Sequence, residues 1–134
     1  MSIIYSIEPT LSAEEFKAVL VESTLGERRP VGDMNRLFRM LQKADIIATA
    51  RDGQKLVGVA RSVTDFSYCC YLSDLAVSAT YQGQGIGRRL IEETRAQAGE
   101  QAALLLVAAA GAASYYPHIG LQHVPSCWAI PRTR

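Results

Sequence analysis

Six residues constrain this chain more than any others: Gln82-Gly83-Gln84-Gly85-Ile86-Gly87, set between an apolar run and an amphipathic one. Residues 68–78 read as a strand, and an amphipathic helix runs from about Gly85 to Ala98 with Gly99 as its stop. The apolar residues 103–109 then read as another strand. Strand, helix, strand is a βαβ unit, and its crossover helix forces the flanking strands to be parallel. Alternate glycines at the head of the helix let backbone N–H groups converge where the helix dipole is positive, which suits phosphate or pyrophosphate. Arg88 and Arg89 stand in the first helical turn, where cations are unfavourable unless something negative offsets them, so an anion accounts for both. The bland reading of the same letters is a tight strand-to-helix connection with no ligand.

The remaining elements arrange themselves around that unit. Residues 3–7 read as a first strand, and Thr10-Leu11-Ser12-Ala13-Glu14-Glu15 supplies a capping-type start for a helix reaching about Ser23. The stretch 25–33, with Gly26, Pro30 and Gly32, is a loop, and Met34, Leu37, Phe38 and Leu41 repeat at helical spacing, predicting a helix over 33–43. Residues 46–51 and 55–64 are β-rich runs separated by Asp52-Gly53, a hairpin signal that makes them antiparallel neighbours. The unbroken Leu104-Leu105-Leu106-Val107 fits a central strand covered on both faces. A short helix over 112–118 ends at Gly120, and residues 121–130, interrupted by Pro125, suit one last strand near an edge.

A chain of 134 residues is one domain by size. Fourteen Lys and Arg against thirteen Asp and Glu leave a net charge of +1, so no general cationic field draws nucleic acid or an anionic membrane. Any anion site is therefore local. The N-terminus lacks the basic and apolar regions of a signal peptide, and the longest apolar run, 102–110, is too short to span a bilayer, so the chain reads as cytoplasmic. Cys69, Cys70 and Cys127 form no C-x-x-C pair, which argues for reduced thiols and against a metal site, even with His118 or His123.

Two commoner glycine-rich anion sites fail against these letters. No Gly-Lys-Ser/Thr follows the turn, which removes the P-loop. The glycines at 83, 85 and 87 do not have dinucleotide spacing, and no acid ends the next strand near Leu106 to hold a ribose. The segment from Asp74 to Leu90 instead resembles the signature of the GNAT superfamily, whose core pattern is Gln/Arg-x-x-Gly-x-Gly/Ala; Gln82, Gly85 and Gly87 match it after a Leu75-Ala76-Val77 strand. Tyr115-Tyr116-Pro117-His118-Ile119-Gly120-Leu121 is similar to the family's downstream aromatic-Tyr-x-x-x-Gly-aromatic segment. The likeness is specific over 71–121 and only general before it.

That resemblance implies an α/β fold: a mixed, mostly antiparallel sheet of about six strands with a central parallel pair joined by the crossover and helices on both faces. It also implies an N-acetyltransferase with acetyl-CoA as cosubstrate and no metal, acetylating a primary amine by direct attack through a tetrahedral intermediate. Small-molecule acceptors rank ahead of protein ones. In the family the pantetheine arm pairs with the first parallel strand, here Leu75, Ala76 and Val77, and a backbone N–H near Val77 would face the thioester oxygen. The pyrophosphate maps onto Gly83, Gln84, Gly85, Ile86, Gly87 and Arg88, with Gln82 a further cofactor-binding position. Tyr116 stands where the family places the general acid that protonates the departing thiolate.

For the base, Asp74 faces the opposite side of its strand from Leu75 and Val77, with water-mediated deprotonation as the alternative. His118 is a further base on paper, and Arg28 and Arg29 are placed to orient an acidic acceptor. Trp128, Phe66 and Tyr68 suit either an amine pocket or the core. Departures from the family pattern fall at Ala109, where many members carry Asn, and at Pro117, which lacks an N–H. The competing function is a non-catalytic acyl-CoA-binding module or sensor. A homodimer is expected, because relatives often pair C-terminal strands across subunits.

Overall fold

The computed structural model describes residues 2–108 and 114–134, and its frame is one sheet of five strands among those residues, in the order β1-β2-β3-β4-β5. β1 (Ile3–Ile7), β2 (Ile46–Asp52), β3 (Lys55–Thr64) and β4 (Cys69–Val77) pair antiparallel in sequence order, and β5 (Ala103–Leu105) lies parallel to β4. Asp52 faces Lys55 across the β2–β3 turn, so the hairpin predicted at Asp52-Gly53 is formed.

Ser12 caps α1 (Ala13–Glu22) by accepting a hydrogen bond from the Glu15 amide at 3.2 Å, and Asp33 caps α2 (Met34–Gln42) by accepting from the Arg36 amide at 3.0 Å. Both helices cover one face of the sheet, where Phe16, Leu20, Leu37 and Leu41 pack with Ile47, Val59 and Ala76. α3 (Ile86–Ala98) covers the other face, packing Ile86, Leu90 and Ile91 against Ala48, Ala50, Ala60 and Leu72. Phe16, Leu20, Leu37 and Leu90 are fully buried, and each contributes roughly 1.5–3 kcal/mol through burial. A short fourth helix, α4 (Tyr115–His118), follows β5.

Arg51 clasps β1 to the start of α1. It donates to both oxygens of Glu8, at 2.8 and 2.9 Å, and to Glu15 at 2.7 Å. These bonds hold both carboxyls below their ordinary range, outweighing partial burial.

Two expectations are corrected. The described residues form five strands instead of about six, because residues 121–130 make no strand. Pro125 lacks a donor there, and the segment runs over the surface with Trp128 and Ile130 exposed. The strand covered on both faces is also not β5, which ends at Leu105, half-exposed, on the edge of the sheet. The strands buried on both faces are β2 and β3, which have a partner strand on each side and helices above and below.

Candidate functional site

The site lies where β4 and β5 part. Their parallel pairing covers only Cys69↔Ala103, Cys70↔Leu104 and Tyr71↔Leu105. From Leu72 to Val77, the edge of β4 turned toward β5 has no partner strand among the described residues. A bulge sharpens the divergence: Arg61 and Ser62 on β3 oppose Asp74 and Leu72, leaving Ser73 unpaired between them. The bulge resets the alternation, so Leu72, Leu75 and Val77 turn toward α3 while Asp74 and Ala76 face the α1–α2 side.

Beyond Val77 the chain enters the glycine turn. Gln82 donates its side-chain amide to the Val77 carbonyl at 2.9 Å, tying the loop back to the end of β4. Gly83 and Gly85 take φ of +79° and +83°, the left-handed region that disfavours any residue with a Cβ, and the space where a Cβ would stand is open at both. Gly85 caps α3 without a side chain, and no acid sits in the first turn of the helix. The first amide recaptured is that of Arg89, which donates to the Gly85 carbonyl at 3.0 Å. The six amides before it, 83 to 88, have no acceptor among the described residues. Six successive free N–H groups at the positive end of a three-turn helix make an anion cradle.

The two arginines do not need that anion. Arg88 pairs with Glu92 at 3.4 Å and Arg89 with Glu93 at 3.2 Å, each one helical turn on. Arg89 also sits 4.5 Å from the centre of the Tyr5 ring.

A cavity of about 560 Å³ opens beside the divergence. Leu72, Ser73 and Leu75 of β4 form one wall, Leu106, Val107 and Ala108 another, and Tyr116 of α4 reaches it. Burial pushes the Tyr116 phenol above its ordinary value, with a smaller contribution from Tyr115, so it holds its proton at neutral pH. The Tyr115 and Tyr116 rings meet edge to face at 5.3 Å. The Tyr115 hydroxyl stands 3.0 Å from where a Cβ on Gly87 would be, so the head of α3 and the Tyr115 side chain are in close approach there. Pro117 costs α4 nothing: it lies in the first turn, where an N–H has no intrahelical acceptor.

Asp74 is fully buried, and its two oxygens accept separately from Arg29 Nε and Arg61 Nε. Arg29 also donates to the Ser73 carbonyl at 2.8 Å, in the bulge. A carboxylate with both oxygens committed to guanidiniums is an anchor that holds the α1–α2 loop onto β4.

The sequence-family model of the acetyltransferase (GNAT) domain matches residues 43–122, a span that contains the splayed strands, the free amides and Tyr116. The chain belongs to the GNAT acetyltransferase family. Solved structures with this GNAT fold include a GNAT-family acetyltransferase of Streptococcus pneumoniae, 22% identical, with a TM-score of 0.77 over 99% of this chain and 98% of that one. A probable acetyltransferase of meticillin-resistant Staphylococcus aureus is 19% identical, with a TM-score of 0.82 over 99% and 100%. An aminoglycoside acetyltransferase from an uncultured soil metagenomic sample, solved in complex with sisomicin, is 19% identical with a TM-score of 0.72 over 98% and 96%. No curated protein sequence matches the chain.

The GNAT domain's residues suit acetyl-CoA on the evidence of the amides: a diphosphate needs several converging donors and no side chain in its way, as at 83–88. Among the residues named from the sequence, Arg28, Arg29, Leu75 and Tyr116 line the cavity, and Gly87 lies against Tyr115 and Val77, while Gly83 and Gly85 stand in the open turn beyond Val77. Ile86 is buried in the core, leaving only its amide for a ligand. Gln82 braces the loop, and the Arg88 side chain lies against Glu92. His118 is exposed, and Phe66, Tyr68 and Trp128 are exposed without lining the cavity. Ala109 lies outside the described residues. Arg36 and Arg61, both on the cavity wall, carried no sequence signal, because only the strand register and the helix packing bring them there. Among the described residues no three His, Cys, Asp or Glu side chains converge as a metal site requires, and no helix is long and apolar enough to cross a membrane.

Proposed function

We propose that this GNAT domain transfers the acetyl group of acetyl-CoA to a primary amine of a small molecule by direct attack. The observation that carries the reading is the run of six amides, 83 to 88, without an acceptor among the described residues, in a chain whose cavity is reached by a protonated Tyr116. In this scheme the amides hold the pyrophosphate, and the open edge of β4 at Leu75, Ala76 and Val77 takes the pantetheine arm. The neutral nitrogen of the acceptor forms a bond to the acetyl carbonyl carbon, and the carbon–sulfur bond breaks. Tyr116 gives its phenolic proton to the departing sulfur, water takes the proton released by the amine, and solvent restores the phenol. Backbone N–H groups of β4 near Val77 stabilise the negative charge on the carbonyl oxygen. Asp74, fully buried and doubly paired, positions the loop instead of taking the proton, which leaves deprotonation to water.

A small acceptor suits a cavity of about 560 Å³, and the soil structure holding sisomicin gives the fold a precedent for a small amine. A thiol-release assay with acetyl-CoA across a panel of small amines tests the proposal. Release dependent on an amine is the expected result. Tight acetyl-CoA binding with no release from any amine would instead leave a binding module.

A further inference from the structure

The cavity that reaches Tyr116 is lined by Arg28, Arg29, Arg36, Arg61, Arg132 and Arg134, with Glu27 the one acid on its wall among the described residues. Six of the chain's fourteen basic side chains thus meet at one concave surface, although the net charge is only +1. Asp74 occupies Arg29 and Arg61. Arg28 and Arg36 have no Asp or Glu partner among the described residues; Arg36 donates to the main-chain oxygen of the last residue, Arg134, at 3.2 Å, and Arg28 only lends its own carbonyl to Arg29. Like charges gathered in a concavity repel one another, and the arrangement is relieved by an anion.

We infer that the acyl acceptor is a small amine carrying an oxyanion group, a carboxylate or a phosphate, bound by Arg28 and Arg36. This rests on the acetyl-transfer reading. The guanidinium fork matches carboxylate and phosphate oxygens two at a time. The same cavity runs from these arginines to Tyr116, so an acceptor anchored by its anionic end presents its amine at the other. The field has a second effect. A neighbouring positive charge disfavours an ammonium, so the arginines raise the fraction of acceptor in the neutral form that attacks. A polycationic amine meets its own sign over most of this wall and is repelled.

The test pairs each anionic amine with its uncharged counterpart: glutamate with its diamide, phosphoethanolamine with ethanolamine, and spermidine as the polycation. Thiol release at saturating acetyl-CoA is expected to give kcat/KM about 10–100-fold higher for the anionic member of one pair, since a charge-assisted hydrogen bond is worth that much. Which pair shows the gap separates carboxylate from phosphate, and the gap narrows in high salt. Arg28→Gln and Arg36→Gln raise KM for the anionic member and not for its counterpart. Calorimetric titration with glutarate and with phosphoethanolamine reads the pocket without turnover. Equal or better turnover of uncharged amines or spermidine overturns the inference and leaves acetyl transfer standing. Arg28- and Arg36-dependent binding of either anion, with no turnover of any amine, overturns acetyl transfer and leaves the anion pocket standing. No binding and no turnover overturns both.

Discussion

Replacing Asp74 with Asn separates an anchor from a base. The carboxylate is fully buried, and the Arg61 and Arg29 side chains are 10% and 23% exposed, so water screens the network poorly. Asn keeps the shape, but its one oxygen serves one guanidinium while its NH2 group faces the other, donor against donor. Removing one partner of a buried pair costs about 3–5 kcal/mol, and the partial exposure of Arg29 places this case near about 3 kcal/mol. For a domain of this size that lowers Tm by roughly 10–15 °C. Urea unfolding followed by circular dichroism reads it as a lower midpoint with unchanged slope. The triple variant Arg29→Met, Arg61→Met, Asp74→Leu recovers most of the loss, because it leaves no charge uncompensated. In the assay, Asp74→Asn raises the acceptor KM and keeps the limb of the pH–rate profile that reports amine deprotonation. An Asp74→Asn protein within about 1 kcal/mol of the parent, with kcat abolished and that limb gone, would refute the reasoning and return Asp74 to the role of base.

Gly85→Val forces a β-branched residue to φ near +83°, costs about 1–2 kcal/mol of stability, and disrupts the amide cradle; calorimetry is expected to show acetyl-CoA binding lost in a folded protein, and parental affinity would remove the turn from the site. Tyr116→Phe keeps the ring packing and removes the proton, so kcat falls by about 10²–10⁴-fold with acetyl-CoA affinity little changed; an unchanged kcat with chemistry rate-limiting returns Tyr116 to a packing role. Glu8 and Glu15 titrate lower folded than unfolded, so the stability they contribute is complete above their ordinary value near 4.5 and lost as pH falls through the folded values. Urea midpoints measured from pH 7 down to pH 3 are expected to fall, and to fall less steeply in Arg51→Met; parallel curves for the two proteins would show that the clasp contributes nothing.

What the letters determined by themselves was local. Two glycines at left-handed positions, a helix with no capping side chain, Ser12 and Asp33 at helix starts and Asp52-Gly53 between strands are choices of φ/ψ and short-range hydrogen bonding, legible within a few residues. The parallel pair followed from the crossover, and Tyr116 from a motif at the family's spacing. The tertiary structure decided the rest. Apolar residues 104–107 read as a central strand, yet strand order put β5 at the edge, since periodicity reports that a run is apolar and not what covers it. The Ser73 bulge turned Asp74 toward arginines 45 and 13 residues away along the chain, and a charge in sequence does not name its distant partner. Arg88 and Arg89, cations in a first helical turn, pair with glutamates one turn on. The cavity arginines without an Asp or Glu partner among the described residues came from a loop and a helix position, 28 and 36, that no short-range pattern joins. A run of backbone amides without side chains in the way is written locally, in glycine; a gathering of arginine side chains depends on what folding brings together.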